Sequence, residues 1–215
     1  MRIISIGLSS LLMTACASGP PPPDWQLNAK SSLERATEAY LSGDGRVETA
    51  EFARARAELA RTGRADLLAR AELTRCAARV ASLEFDDCPG FAALAEDSGP
   101  AERAYARYLT GQATPQDLTL LPAAQREAPA GIKDPLSRLV AAGVLLRSGH
   151  AAPDTLYALA VDTASAQGWR RPLLAWLHLQ AQRAEAAGEV QTAAALRRRI
   201  ELVLKPAQLA EPAKK

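Results

Sequence analysis

Helical spacing of the apolar residues is the feature that most constrains the fold of this chain. Apolar residues recur every three or four positions through most of the sequence, as Leu73, Cys76 and Val80 do, and no stretch alternates cleanly between apolar and polar residues. Alanine, leucine, arginine and glutamate dominate, whereas aromatic residues, which favour strands, make up only 5%. The sequence therefore predicts an all-α fold.

Glycine and proline divide the helical pattern into about 8–10 predicted helices. Their approximate ranges are 28–41, 47–61, 65–83, 91–95, 98–109, 134–148, 153–168, 172–188 and 190–204. Short connections between them favour antiparallel hairpins. Residues 112–133, interrupted by three prolines, are the least regular part, and we expect either a long ordered connection or a mobile flap there.

Two segments far apart in the chain share a residue pattern. Gly, Val, Thr, Ala, Arg, Arg, Glu and Leu coincide between residues 45–59 and residues 188–202 at a constant offset of 143. Each segment is predicted to be the second helix of a hairpin that is entered through glycine. Helical pairs of this kind cannot bury their apolar faces alone, and they stack side by side.

The last predicted hairpin resembles a tetratricopeptide (TPR) repeat. The matching residues are Trp176, Leu179, Gly188, Ala193 and Leu196. Gln180 and Arg183 depart from the pattern, since they stand where a small residue and an aromatic residue are expected, and no 34-residue period runs through the middle of the chain. The resemblance implies TPR-like packing of helical hairpins, and an irregular helical bundle is the alternative.

The N-terminal residues have the features of an export signal. Arg2 precedes an apolar run, and residues 3–15 make up 13 positions, too few for a helix to span the ~30 Å core of a bilayer. This length is typical of the apolar region of a signal peptide. A buried N-terminal helix is an alternative interpretation.

The signal ends in residues that resemble the lipobox of bacterial lipoproteins: Leu12, Met13, Thr14, Ala15 and Cys16. Met13 stands where the lipobox usually has leucine. The resemblance implies cleavage before Cys16, a thioether-linked diacylglycerol on its sulfur and acylation of its amine. Two or three acyl chains anchor a protein durably to a membrane, whereas a single chain does not. Ala17 replaces the aspartate that commonly retains lipoproteins in the inner membrane, which favours the outer membrane, with the domain facing the periplasm. An ordinary signal peptide with a chance cysteine is the alternative.

The predicted organisation of the chain has four parts. Residues 1–15 form the signal peptide, residues 16–27 the lipidated cysteine and a proline-rich stalk, residues 28–204 the helical domain and residues 205–215 a disordered tail. Within the stalk, the four prolines at 20–23 favour polyproline II, which rises ~3.1 Å per residue and acts as a semi-rigid spacer.

Cys76 and Cys88 are left as a pair once Cys16 carries lipid, and an oxidising periplasm favours a disulfide between them. Twelve positions separate them, and the predicted helix and turn are just long enough to bring the chain back. Two buried free thiols or a metal site are the alternatives. A metal site is disfavoured because the two histidines, His150 and His178, each stand alone in the sequence.

No catalytic signature stands out. The sequence lacks G-x-S-x-G, H-E-x-x-H and the glycine-rich nucleotide-binding motifs, and the acidic pair Asp86–Asp87 is interpreted as a solvated turn rather than a calcium site. The formal charge is only +2 with both signs interspersed, so the basic face that nucleic-acid binding requires is not evident. Tyr157, Trp169 and Trp176 form a possible ligand groove, with packing in the core as the alternative.

Together these features predict a lipid-anchored, non-catalytic scaffold or assembly factor that binds a membrane through its lipid and an envelope protein through a groove between helices. The analogy of fold and location is to pilotin-like lipoproteins. No cofactor and no nucleic-acid partner are expected. The alternative is an enzyme that acts on peptidoglycan, or an activator of one, which would need a cleft with a buried carboxyl group of raised pKa.

Overall fold

The chain is all-helical in a computed structural model, which describes residues 21–150 and 153–205. Within those ranges it contains ten α-helices, two short 3₁₀ segments and no β-strand, which confirms the predicted fold class. The helices are α1 (Asp24–Ser42), α2 (Gly45–Ala60), α3 (Ala65–Ala81), α4 (Pro89–Ala92), α5 (Pro100–Leu109), α6 (Pro115–Leu120), α7 (Pro135–Arg147), α8 (Asp154–Gln167), α9 (Arg170–Ala186) and α10 (Val190–Leu204). Among these helices, none has both the length and the apolar character needed to cross a membrane.

The first helix begins earlier than the sequence pattern predicts. α1 starts at Asp24, so residues 24–27 are helical and do not belong to the predicted stalk. Pro23 is the N-cap, with φ −64° and ψ 150°, and Asp24 places a negative charge in the first turn, where the helix dipole favours it. The predicted signal peptide, Cys16 and the predicted tail after Lys205 lie outside the described residues.

The proline-rich connection between α5 and α7 is ordered, which is one of its two predicted alternatives. It holds α6 and two 3₁₀ segments, Ala123–Arg126 and Pro129–Gly131. Thr114 and Asp117 form a capping box at the start of α6, in which Asp117 accepts the backbone N–H of Thr114 at 2.9 Å. The same carboxylate accepts a hydrogen bond from Arg107 of α5 at 2.8 Å, so the connection is fastened to the bundle.

The helices pack as a bundle rather than as a continuous stack of repeats. α1 packs with α2, and α9 with α10, and the second helices of these two hairpins carry the repeated residue pattern. However, α3 also packs against α5 and α7, and α9 returns to α1. These contacts between helices far apart in sequence differ from the nearest-neighbour stacking of repeat proteins.

The main core of the bundle contains buried residues of α3, α7 and α9. Val80 of α3, Leu139 of α7 and Trp176 of α9 are fully buried there. Gly143 lets α7 approach α3 closely, because a Cβ atom at this position would lie only 2.4 Å from the carbonyl oxygen of Val80. A glycine inside a helix is usually unfavourable, so its place here is explained by this approach of one backbone to another.

Candidate functional site

The three aromatic residues of the predicted groove do not line one groove. Trp176 is fully buried; its indole N–H donates to the carbonyl oxygen of Ala81 at 3.0 Å, and Tyr157 lies edge-on to it, with the ring centres 6.3 Å apart. Trp169 lies at the start of α9, where its indole N–H donates to Glu38 at 3.0 Å. Trp176 therefore belongs to the core, whereas Tyr157 and Trp169 each border a different surface groove.

The first groove follows one face of α1, and we call it the α1 groove. Its volume is about 370 Å³. It is lined by Lys30, Leu33, Glu34, Thr37, Glu38, Leu41, Thr74, Leu136 and Trp169. Leu33, Thr37 and Leu41 are spaced four residues apart, so they lie on the same face of the helix. The lining is chiefly apolar, and the side chains of Lys30 and Glu34 are exposed and pair with each other at 3.8 Å.

The second groove lies between α8, α9 and α10, and we call it the terminal groove. Its volume is about 350 Å³, and polar groups form more of its lining than they do in the α1 groove. The guanidinium of Arg183 lies 4.3 Å from the centre of the Tyr157 ring and pairs with Asp154 at 2.7 Å. The arginine that departs from the TPR pattern at this position thus packs on an aromatic ring from the neighbouring helix.

Cys76 and Cys88 form the predicted disulfide, with their Cα atoms 5.4 Å apart. The bond joins α3 to the turn before α4, where Cys88 adopts a left-handed backbone conformation with φ 49°. Both cysteines are buried, and they line a third depression of about 180 Å³, which we call the disulfide cleft.

Asp86 also borders the disulfide cleft, and no sequence motif indicates this. Its Oδ1 accepts the backbone N–H of Cys88 at 3.0 Å and lies 3.7 Å from the sulfur of Cys76. Its Oδ2 lies 3.5 Å from the guanidinium of Arg79. The neighbouring Asp87 is exposed, so the interpretation of the acidic pair as a solvated turn fits only this second residue.

Arginines from other helices pair with the buried carboxylates of the described residues. These pairs are Arg75–Glu48, Arg35–Glu51, Arg56–Glu72, Arg70–Glu102 and Arg107–Asp117. The arginine side chain reaches across the gap between two helices while its guanidinium stays partly in water. These carboxylates therefore position helices relative to one another.

The pKa values of these carboxyl groups are lowered where they are clearly shifted. Hydrogen bonds from Arg107 and from the backbone of Thr114 hold the pKa of Asp117 well below its usual range. A hydrogen bond from Arg35 likewise lowers the pKa of Glu51. A general acid would require the opposite shift, so these two groups are suited to structural ion pairs.

No protein-family model, no curated protein and no solved structure matches this chain. The candidate functional surfaces are the two grooves and the disulfide cleft. Of these three surfaces, the α1 groove is the one with a chiefly apolar lining.

Proposed function

We propose that this chain is a lipid-anchored lipoprotein of the bacterial envelope, whose helical domain acts as a non-catalytic scaffold or assembly factor for another envelope protein. The α1 groove carries the proposal. It combines an apolar lining with exposed charges of both signs, on Lys30 and Glu34. A surface of this kind suits a short amphipathic segment of a partner protein, which would bury its apolar side chains against Leu33 and Trp169.

The short distance from the anchor to α1 supports the same proposal. Asp24, the first residue of α1, follows Cys16 by eight positions. A fully extended chain of that length spans at most roughly 28 Å, so acyl chains on Cys16 would hold α1 close to the outer membrane. A partner bound in the α1 groove would be confined near the membrane surface, which raises its effective concentration there.

Two further features agree with an exported scaffold. The disulfide between Cys76 and Cys88 suits an oxidising compartment such as the periplasm. Hydrogen bonds from arginines of neighbouring helices lower the pKa values of Asp117 and Glu51, so these carboxylates are suited to holding helices together in a scaffold.

Site-specific crosslinking tests whether the α1 groove binds a protein. A photo-reactive amino acid at position 37 in the α1 groove should capture a specific envelope protein in intact cells. Position 49 on α2 is a matched control, since Thr37 and Thr49 both donate their hydroxyl to the carbonyl oxygen four residues earlier at 2.9 Å. Capture from both positions with equal yield would refute the groove as the binding site.

Substitution tests the same surface without a crosslinker. Thr37→Arg should fill the groove and abolish co-purification of the captured protein, whereas Thr49→Arg should leave it unchanged. If no protein is recovered by wild type but isolated peptidoglycan sediments it, the scaffold proposal fails in favour of an enzyme or activator acting on peptidoglycan.

The anchor has a separate test. Cys16→Ser should abolish incorporation of labelled fatty acid and release the protein from the membrane fraction. Firm membrane association of Cys16→Ser without lipid labelling would overturn the anchor, while leaving the groove experiments unaffected.

A further inference from the structure

Three groups that can bind a metal ion meet in the disulfide cleft. The two sulfurs and a carboxylate oxygen of Cys76, Asp86 and Cys88 all lie within 4.8 Å of one another. The sulfurs are buried, and the cleft in front of them is open to solvent. The arrangement combines two soft sulfur atoms with one hard oxygen atom, which is a ligand set that zinc accepts.

The position of Asp86 is not explained by the disulfide itself. A sulfur in a disulfide carries no proton, so it cannot donate a hydrogen bond to the carboxylate oxygen that lies 3.7 Å from Cys76 Sγ. The carboxylate is nevertheless held facing the sulfur, because the backbone N–H of Cys88 donates to the same Oδ1 at 3.0 Å. In this orientation Oδ1 can bind the same cation as the two sulfurs once these are thiolates.

We propose that reduction of the Cys76–Cys88 disulfide creates a binding site for a thiophilic divalent cation, with zinc as the natural candidate. A dithiol reductant transfers two electrons and two protons to the disulfide, giving two thiols and the oxidised, cyclic form of the reductant. The cation then binds both sulfurs and the Asp86 carboxylate, and the two thiol protons are released to solvent. This proposal concerns a second site and does not rest on the proposed scaffold function.

The surrounding charges suit such a complex. A divalent cation with two thiolates and one carboxylate has a net charge of −1, and Arg79, at 3.5 Å from Asp86 Oδ2, supplies a compensating positive charge. Oδ1 remains directed at the cation while Oδ2 keeps its arginine, which is the kind of outer contact that orients a metal ligand. The second arginine of the cleft, Arg75, is engaged by Glu48 at 2.7 Å. A water molecule from the open cleft would complete four-coordination.

Cobalt(II) is the probe for this site because thiolate–cobalt bonds absorb strongly in the near ultraviolet. The experiment uses the whole chain with the substitution Cys16→Ser, so that Cys76 and Cys88 are its only cysteines. After reduction, we expect one cobalt per chain with a thiolate charge-transfer band that zinc displaces. The oxidised protein should give no such band. Absence of the band in the reduced protein, or its presence in the oxidised protein, would overturn the proposal.

Two variants test whether the Asp86 carboxylate binds the metal together with the two thiols. Asp86→Asn should weaken cobalt binding by about tenfold or more, whereas Asp87→Asn, at the exposed neighbouring position, should bind as wild type does. Equal affinities of the two variants would refute the role of Asp86.

Thermal denaturation shows whether the folded state holds the cation. Zinc should raise the Tm of the reduced protein and leave that of the oxidised protein unchanged, since a ligand that binds only the folded state stabilises it. A reduced protein whose Tm is unchanged by zinc would show that zinc does not prefer the folded state, and a lowered Tm would show that it prefers the unfolded chain; either result would refute the site.

Discussion

Replacement of Gly143 by alanine tests the packing of α7 against α3. The added Cβ atom would lie 2.4 Å from the carbonyl oxygen and 3.1 Å from the carbonyl carbon of Val80. These atoms belong to the backbone of α3, so no side-chain rotation can relieve the overlap. The two helices must move apart for the variant to fold.

The size of the effect follows from that displacement. A carbon–oxygen contact needs about 3.3 Å, so the helices must separate locally by about 0.9 Å. A gap of 0.5–1 Å forfeits roughly a quarter to a half of the dispersion energy of the atoms along it, and overpacked cores typically lose about 1–3 kcal/mol. Alanine recovers up to about 1 kcal/mol of helix propensity over glycine. Because the overlap is with backbone atoms, the loss lies at the upper end of this range, about 3 kcal/mol, and the gain in helix propensity offsets about 1 kcal/mol of it. We therefore expect Gly143→Ala to lower the free energy of unfolding by about 2 kcal/mol, which corresponds to a fall in Tm of roughly 4–8 °C.

Urea denaturation followed by circular dichroism measures this loss. Gly45→Ala is the matched control, because Gly45 opens α2 and a Cβ atom there would meet nothing within 4 Å. The control should be as stable as wild type or slightly more so. If Gly143→Ala matches the control in stability, the close approach of α7 to α3 does not exist in solution.

Three further predictions concern the disulfide, the acid range and the core. Cys88→Ser should lower the free energy of unfolding by about 3 kcal/mol in oxidised protein, as loop-closure entropy implies for a 12-residue separation, and the difference from wild type should vanish in urea titrations of reduced protein. The pKa of Asp117 is lower in the folded state than its unfolded value of ~3.9, so its pairing with Arg107 stabilises the fold fully above about pH 4. This stabilisation is lost as the pH falls below that value towards the folded-state pKa. The urea midpoints at about pH 3 and about pH 6 should therefore differ less for Asp117→Asn than for wild type. Trp176→Phe should cost about 1–3 kcal/mol because the buried carbonyl of Ala81 loses its donor, and an unchanged Tm would contradict that assignment.

The helices and the disulfide are predictable from the sequence because their signals are local. Gly43 and Gly168 end α1 and α8 with φ values of 92° and 69°, a conformation that glycine adopts easily, and the sequence marks both positions as stops. The spacing of Cys76 and Cys88 likewise depends only on one helix and one turn.

The start of α1 is not predictable in the same way because a run of prolines is compatible with two structures. Consecutive prolines favour an extended stalk, but the fixed backbone angle of proline also suits the residue just before a helix. In this chain Pro23 takes the second role, and residues 24–27 join the helix.

The surface sites depend on contacts that leave no local pattern. Arg70 and Glu102 are 32 residues apart and gain their partners only when α3 meets α5. The direction of the Asp86 side chain is set by the backbone N–H of Cys88, whose left-handed conformation is itself a property of the folded turn. Trp169 and Trp176 look alike in sequence, yet only the second is wholly enclosed.

The ends of α1 and α3 are completed by hydrogen bonds from α9, which is synthesised much later. Arg171 donates to the carbonyl oxygen of Tyr40 at 2.8 Å, and Trp176 donates to that of Ala81, so α9 supplies partners to the last turns of α1 and α3. These partners are 131 and 95 residues apart. Because the ribosome makes the N-terminal helices first, the carbonyl oxygens of Tyr40 and Ala81 lack these donors until α9 has been synthesised. We therefore expect a chain that stops before α9 to be a substrate for quality-control proteases, even though eight of the ten helices of the described ranges are then complete.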